Sequence, residues 1–345
     1  MSDDLRRRLR AQRLAPRHDG GVAGLVRALG GVQAQDAAAA ALAVRARTVG
    51  LTAADVELAR VEERSIVRTW AMRGTLHLVP AEDARWLLRL FGPRLVAADR
   101  RRRAELGIDE PTSVRAVDLI RDRLAAAGAL TRAELAAALA VAGMPHRGQA
   151  TVHLLFRAAL EGHACYGPVR DGEPTFVPLE DWLPPGPAPP PDPLAALARA
   201  YRTSHRPASA ADFAHWSGLG AVEARSGWAA TDDAAGEDAA PRAPPVPVVR
   251  LLPAFDEYLL GWRDRSFAVP AAHARRVHPG GGLIHPVVLV DGRAVAAWRR
   301  TARRGGLELR VEPFERLTAG TREALEAEAA DVGRFLGAPA ALTVA

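Results

Sequence analysis

The sequence predicts an α+β fold, in which tandem winged helix-turn-helix domains precede a small C-terminal antiparallel β-barrel-like domain. Two observations predict it: helix-capping patterns recur through the first two thirds of the 345 residues, and strand-like alternation follows from about residue 248. A chain of this length suits several compact units. We expect a first winged helix at 1–110, a second at 111–183, a third at 193–247 and the C-terminal domain at 248–345.

The first winged helix is indicated by three helical segments followed by a hairpin. An N-terminal helix and a helix near 22–30 precede LTAADVELARV, in which Thr52 and Asp55 have the spacing of a capping box. The segment SIVRTWAMRGTLHLVP then alternates like two strands that turn near Gly74. This domain is also expected to include the connecting helix EDARWLLRLFGPR.

The second winged helix has the clearest signals. A helix at about 112–127 precedes a capping box formed by Thr131 and Glu134, which opens TRAELAAALAVAG. The helical segment QATVHLLFRAALEG follows a glycine- and proline-containing break. Two strand-like runs then flank Asp171-Gly172, a strong hairpin signal.

A third copy begins after the proline-rich segment LPPGPAPPPDP. Its helices are predicted at 193–206 and 209–228, and the second opens at the pair Ser209 and Asp212. The acidic stretch TDDAAGEDAAPRAPP behind them is expected to be mobile.

The last region is predicted to be mainly strands. The runs VVRLLP, VVLVDGRAVAAW and LELRVEPF read as strands, with a hairpin turn at Asp291-Gly292. A helix at about 318–337 is expected to close the chain.

The basic residues favour a polyanionic partner. There are 46 basic and 40 acidic residues, a net charge of +6, and every basic residue is arginine. The planar guanidinium suits bidentate phosphate contacts. Because the chain has no lysine, no side chain can form a lysine Schiff base.

Several other classes of protein are disfavoured. No apolar run reaches the roughly 18 residues that a membrane span needs, and the charged N-terminus does not have the pattern of a signal peptide. The protein is therefore expected in the cytoplasm. The single cysteine, Cys165, excludes an intrachain disulfide. We find no nucleotide-binding fingerprint and no metal-ligand spacing, so we expect neither a cofactor nor a metal.

The segment GVQAQD concentrates a rare side chain. The sequence has no asparagine and only four glutamines, yet Gln33 and Gln35 stand two positions apart. Without further information, a polar loop joining two helices would explain them.

Four segments, in this order and spacing, resemble the winged-helix DNA glycosylases related to AlkZ and YcaQ: GVQAQD, RTWAMRGTLHLVP, LLPAFDEYLLGWRDRS and LVDGRAVAAWRR. The resemblance covers nearly the whole chain, and it implies tandem winged helices and a C-terminal barrel around a DNA-sized concavity. The family's catalytic motif is glutamine, an apolar residue, then glutamine or aspartate. Gln33, Ala34 and Gln35 match it in the glutamine form typical of AlkZ, which is implicated in unhooking bulky alkylpurine crosslinks.

The chemistry of two amides limits the reaction. A glutamine cannot accept a proton at neutral pH, so the pair cannot act as a general base. It can orient a water and place carbonyl dipoles near a developing sugar cation. Such assistance suffices for a good leaving group, and a purine alkylated at N7 departs as a neutral base.

The resemblance and this chemistry together predict a monofunctional DNA glycosylase. Its substrate is expected to be double-stranded DNA containing cationic N-alkylpurines of the N7-alkylguanine type, including bulky adducts or interstrand crosslinks. We expect a monomer that binds one duplex and associates with the nucleoid. The alternatives are a winged-helix transcriptional regulator without catalytic activity, which would normally dimerise on a palindromic site, and a relative that binds DNA without chemistry.

Candidate DNA-binding residues lie in two places. The first hairpin carries Arg68, Arg73 and His77, although His77 also fits a core position. The run Arg100, Arg101, Arg102 and Arg103 suits phosphates, although such runs are most often a solvated helix face.

Two carboxylates are possible accessory residues in catalysis. Asp36 follows the glutamines directly, although its position also fits the N-cap of the helix AAAALAVRAR. Asp256 is adjacent to Glu257, and such a pair also fits a turn or a salt bridge to Arg263 or Arg265.

Overall fold

A computed structural model describes residues 1–231 and 247–345. The helices are α1 (Asp3–Ala11), α2 (Val22–Leu29), α3 (Ala37–Arg47), α4 (Ala53–Val61), α5 (Ala81–Ala98), α6 (Arg100–Glu105), α7 (Glu110–Ala127), α8 (Arg132–Val141), α9 (Ala150–Leu160), α10 (Leu179–Trp182), α11 (Pro193–Ser204), α12 (Ala210–Ser217), α13 (Ala221–Ala229), α14 (Glu257–Leu260), α15 (Ala274–Val277) and α16 (Ala319–Leu336). The strands are β1 (Val32–Gln33), β2 (Ile66–Trp70), β3 (Leu76–Pro80), β4 (Leu130–Thr131), β5 (Ala164–Arg170), β6 (Glu173–Pro178), β7 (Val249–Leu252), β8 (Val287–Val290), β9 (Arg293–Arg303), β10 (Gly306–Pro313) and β11 (Ala340–Val344). Helices and mainly antiparallel sheets together confirm the predicted α+β class.

The chain forms two compact units. Unit 1 combines Met1–Glu57 with Leu194–Ala345, and unit 2 is Leu58–Pro193. The first predicted winged helix therefore contributes residues to both units, with α1 to α3 in unit 1 and the β2–β3 hairpin in unit 2. The tandem winged-helix organisation and the four domain boundaries stay predictions.

Unit 1 is built on a five-stranded sheet in the order β11-β10-β9-β8-β7. Neighbouring strands are antiparallel except β10 and β11, which are parallel. Helices α3 and α16 pack against β7. The predicted barrel is wrong in this respect: β7 and β11 are the two edges of an open sheet, so the described strands do not close. Strand β11 also follows the helix that was expected to close the chain.

The core of unit 1 consists of apolar side chains from several distant segments. Tyr258, Leu259 and Trp262 of the segment around α14 pack with Leu9 of α1 and with Leu252 of β7. All five residues are at most 2% exposed, so removing them from water contributes strongly to stability. This core fixes α14 against the sheet.

Unit 2 contains the strands in the order β3-β2-β5-β6-β4. The predicted capping box of Thr131 and Glu134 is present at the start of α8. The predicted hairpin turn at Asp171-Gly172 joins β5 and β6. Both turn residues have positive φ, 52° and 81°, as a tight hairpin turn with Asp-Gly requires.

The third predicted domain is described only in part. Its helices are α11, α12 and α13, and the capping box of Ser209 and Asp212 is present, but Gly218 and Gly220 divide the expected helix 209–228 in two. Apart from Thr231, the acidic stretch expected to be mobile lies outside the described residues.

Candidate active site

The segment with the two glutamines begins at a sharp change of chain direction. Helix α2 ends at Leu29, and Gly30 and Gly31 follow with φ of 75° and 122°. Residues with a side chain rarely adopt these angles, so the two glycines let the chain leave the helix and enter β1. Gln33 is the last residue of β1.

The two glutamines differ in exposure. Gln33 is buried, with 7% of its surface accessible, and Ala34 is completely buried. Gln35 is exposed. The apolar middle residue therefore packs into the interior of the protein, while the second amide is accessible to solvent and to a bound molecule.

A buried carboxylate holds the main chain of Gln33. The backbone N–H of Gln33 donates to Glu257 Oε1 over 2.7 Å, and the indole Nε1–H of Trp216 donates to Glu257 Oε2 over 3.2 Å. Glu257 is 1% exposed and Trp216 is 0% exposed. Both carboxylate oxygens of Glu257 therefore accept a hydrogen bond from an N–H group.

The neighbouring carboxylate has a different partner. Both oxygens of Asp256 accept hydrogen bonds from the guanidinium of Arg47, at 2.7 Å each. The remaining N–H groups of Arg47 donate to Ala43 O and to the backbone and side-chain oxygens of Gln12. All five donors of Arg47 are thereby used, in a site with no solvent exposure of either charged side chain.

Asp256 therefore has a structural role in this arrangement. Besides binding Arg47, its Oδ1 accepts the backbone N–H of Tyr258 and caps α14, the helix that starts at Glu257. The expected salt bridges to Arg263 or Arg265 are wrong. Arg265 donates instead to Leu259 O, because Asp256 points inward to a partner far away in sequence.

Asp36 is the N-cap of α3. Its Oδ1 accepts hydrogen bonds from the backbone N–H groups of Ala38 and Ala39, at 2.9 and 3.0 Å. The structural alternative considered for this residue is thus confirmed. An N-cap of this kind contributes about 1 kcal/mol to a helix.

In unit 2, the first hairpin places its three candidate residues differently. Arg68 is partly buried, and its guanidinium carbon Cζ lies 4.4 Å from the ring centre of Tyr166. Arg73 lies in the turn between β2 and β3 with a positive φ of 56°. Both remain candidates for contact with DNA.

The prediction that His77 contacts DNA is corrected, because its side chain is completely buried. Desolvation, reinforced by the charge of Arg73, lowers the pKa of His77 from 6.5 to about 3. Its Nδ1 is 3.0 Å from Thr75 O, and its Nε2 has no hydrogen-bond partner among the residues that the structure describes. A neutral ring inside the protein cannot supply positive charge to a phosphate.

The four consecutive arginines, at positions 100 to 103, also differ in their exposure to solvent. Arg100, Arg101 and Arg102 are exposed on α6. Arg103 is 1% exposed and bonds to Val96 O and Asp99, which makes it part of the interior. The prediction that Arg103 contacts DNA is therefore corrected, because its guanidinium would have to leave a buried ion pair.

Sequence reasoning missed the partner of Gln33 and the partner of Asp256. Glu257 was considered only as one half of an adjacent acidic pair, and Arg47 was not considered. No local signal identifies either contact. Within residues 1–231 and 247–345, no three histidine, cysteine or carboxylate side chains are grouped as a metal site would require, and no helix is long and apolar enough to cross a membrane.

Comparison with known proteins gives one consistent result. The chain matches the sequence model of the family described as DNA glycosylase AlkZ-like over residues 26–335. It is 32% identical to the interstrand DNA cross-link repair glycosylase of Streptomyces sahachiroi, over 96% of this chain and 95% of that protein. The solved structure of the Streptomyces sahachiroi DNA glycosylase AlkZ matches with a TM-score of 0.82 at 26% identity, covering 99% of this chain and 98% of that chain.

Proposed function

The chain belongs to the family of AlkZ-like DNA glycosylases, and from that premise we propose that it hydrolyses the N-glycosidic bond of cationic N-alkylpurines, of the N7-alkylguanine type, in double-stranded DNA. The observation that carries the proposal is the pair Gln33 and Gln35. The first is held through its main chain by a buried carboxylate, and the second is exposed beside it in sequence. Bulky adducts and interstrand crosslinks belong to the proposed substrates, since the Streptomyces sahachiroi relative is named for crosslink repair.

The proposed reaction uses the leaving group that the lesion provides. The bond between C1′ and N9 breaks, its electron pair goes to N9, and the positive charge of the alkylated purine is neutralised as the sugar becomes oxocarbenium-like. A water oriented by the amides of Gln33 and Gln35 bonds to C1′, and its proton is released to solvent. The amides act through position and dipoles, because neither takes up a proton.

Family membership does not favour a transcriptional regulator. We further propose that the protein acts as a monomer without a cofactor and leaves an intact abasic site, since the chain has no lysine to attack the sugar. Cytoplasmic location and association with the nucleoid are part of the same proposal.

The test is to incubate the protein with a duplex that contains one N7-methylguanine and with a duplex that contains an N7-linked interstrand crosslink. We expect strand breaks only after heat or alkali, and release of the crosslinked strands. Breaks without such treatment, or a covalent complex trapped by borohydride, would contradict the monofunctional mechanism. An intact glycosidic bond in both duplexes would refute the proposed function.

A further inference from the structure

The carboxylate of Glu257 lies within one hydrogen bond of the proposed catalytic segment. Its Oε1 is 2.7 Å from the backbone nitrogen of Gln33, although the two residues are separated by 224 positions in sequence. The side chain is almost completely shielded from water. Such a contact fixes the main chain from which the Gln33 amide extends.

The surroundings of Glu257 hold it in one orientation. Trp216 donates to its second oxygen, and the Trp216 ring packs next to the start of the segment: a Cβ atom added to Gly30 would lie 3.6 Å from its Cη2 atom. Asp256 caps the helix that begins with Glu257 and is itself held by Arg47. The position of the carboxylate is therefore set by buried contacts on both sides.

A buried carboxylate is a costly acceptor for a backbone N–H. A backbone carbonyl or an amide oxygen would accept the Gln33 N–H at a much smaller desolvation cost than a buried carboxylate. A fixed negative charge in a water-poor interior acts over a longer distance than one in solvent.

We propose that Glu257 is a positioning and electrostatic residue for glycosidic hydrolysis: its carboxylate fixes Gln33 and lowers the energy of the sugar cation that forms near Gln33 and Gln35. The inference rests on the proposed function. The negative charge stabilises the transition state through space and accepts no proton in the step. This role supplies the charge that a pair of neutral amides lacks.

The test separates charge from position. In Glu257→Gln, one end of the amide is an N–H donor that would face either the Gln33 N–H or the Trp216 indole. In the Trp216→Phe background the indole donor is absent, so the amide of Glu257→Gln can direct its oxygen to Gln33 and its nitrogen to the phenyl ring. The double variant then keeps the contact with Gln33 and lacks the charge, with Trp216→Phe as the matched control.

The readout is affinity for two duplexes with a central abasic mimic, one a cationic pyrrolidine and the other a neutral tetrahydrofuran. A transition-state mimic binds more tightly than a neutral analogue where the site stabilises the cation. We expect the preference for pyrrolidine to fall about 10- to 100-fold in the double variant relative to Trp216→Phe, and single-turnover excision of N7-methylguanine to fall by a similar factor. An unchanged preference would overturn the electrostatic role.

A second variant decides the matter if the double variant does not fold. Glu257→Asp retains the charge one methylene farther from Gln33, whereas Glu257→Gln retains the length and removes the charge. We expect Glu257→Asp to preserve the pyrrolidine preference better, and the reverse order would overturn the proposal. Wild-type protein that excises no N7-methylguanine refutes the proposed function, whereas wild-type excision with a preference insensitive to Glu257 refutes this inference alone.

Discussion

Two helices carry closely spaced arginines, and the environments of those side chains are opposite. On α3 in unit 1, Arg45 and Arg47 are 1% and 0% exposed, and their carboxylate partners lie more than 200 positions away in sequence. On α6 in unit 2, Arg101 and Arg102 are exposed and both bond to Glu105, three or four residues away. The comparison shows that burial and the hydrogen-bond partners decide whether an arginine side chain is structural or available to a phosphate.

The buried pairs of α3 also connect the candidate site to the rest of unit 1. Arg45 donates to Glu328 of α16 at 2.9 Å and to Leu251 O of β7 at 2.7 Å. Arg47 binds Asp256, directly before Glu257. Helix α3 begins at the N-cap Asp36, next to Gln35, so the two ion pairs fix the helix that follows the glutamines.

The largest effect is expected from breaking the buried pair of α3. Arg47→Met leaves Asp256 charged and unpaired in the interior, and we expect a loss of about 3 to 5 kcal/mol in the free energy of unfolding. The matched control is Arg101→Met on α6, for which less than about 0.5 kcal/mol is expected because its ion pair is exposed. Urea denaturation of both variants measures the difference, and equal losses would break the comparison.

The next effect concerns catalysis at the glutamines. Replacing Gln33 or Gln35 by alanine is expected to lower single-turnover excision of N7-methylguanine by about 10- to 1,000-fold, or about 1.4 to 4 kcal/mol, because a positioned dipole is lost. Gln35→Asp is expected to retain more activity than Gln35→Ala, since it adds a negative charge near the sugar cation.

Binding to undamaged duplex is the control for these variants. It should remain unchanged, because phosphate contacts supply most of that affinity. Excision that is as fast in both alanine variants as in the wild type would mean that the two glutamines form only a polar loop.

The sequence predicted the interactions between residues that are only a few positions apart in the chain. The capping box of Thr131 and Glu134 and the turn at Asp171-Gly172 depend on neighbours in the chain, so their residue types and spacing determine them. The N-cap role of Asp36 was foreseen on the same basis.

The long-range contacts could not be predicted in this way. The bond from the Gln33 main chain to Glu257 and the pair of Arg47 with Asp256 exist only when segments more than 200 positions apart pack together. The same applies to the sheet of unit 1: the segments of β7 to β10 were recognised as strands, but β11 and its parallel pairing with β10 were not. Arg103 is buried, whereas Arg100, Arg101 and Arg102 are exposed. A run of four identical residues does not tell which of them the fold buries.

A smaller effect on the free energy of unfolding is expected from His77, which is completely buried, unlike the exposed arginines of α6. The folded protein holds the pKa of His77 at about 3, whereas the unfolded chain has the ordinary value of 6.5. The unfolded state therefore binds the proton first, so stability is fully present above pH 6.5 and is lost progressively as the pH falls toward 3.

Comparison with His77→Leu isolates this contribution. Between pH 7 and pH 5, the wild type should lose about 1 to 2 kcal/mol more unfolding free energy than the variant. The measurement is urea denaturation at both pH values. Parallel losses in the two proteins would show that His77 is accessible to protons in the folded state, and it would then again be a candidate for phosphate contact.

The smallest effect tests the exposed side of the comparison. If Arg101 and Arg102 contact phosphates, replacing both by alanine removes up to two counterion-releasing contacts, and the slope of log affinity against log salt should become less steep by about 1 to 2. Glu105→Gln is the matched control, because it removes the carboxylate that both arginines bind and leaves their charges free for DNA. We expect its slope to be at least as steep as that of the wild type.

Arg103→Met should lower the unfolding free energy instead and leave the slope unchanged, since Arg103 is already engaged inside the protein. An identical slope for the wild type and the double alanine variant would assign α6 to the solvated surface, and the phosphate contacts would have to come from other arginines.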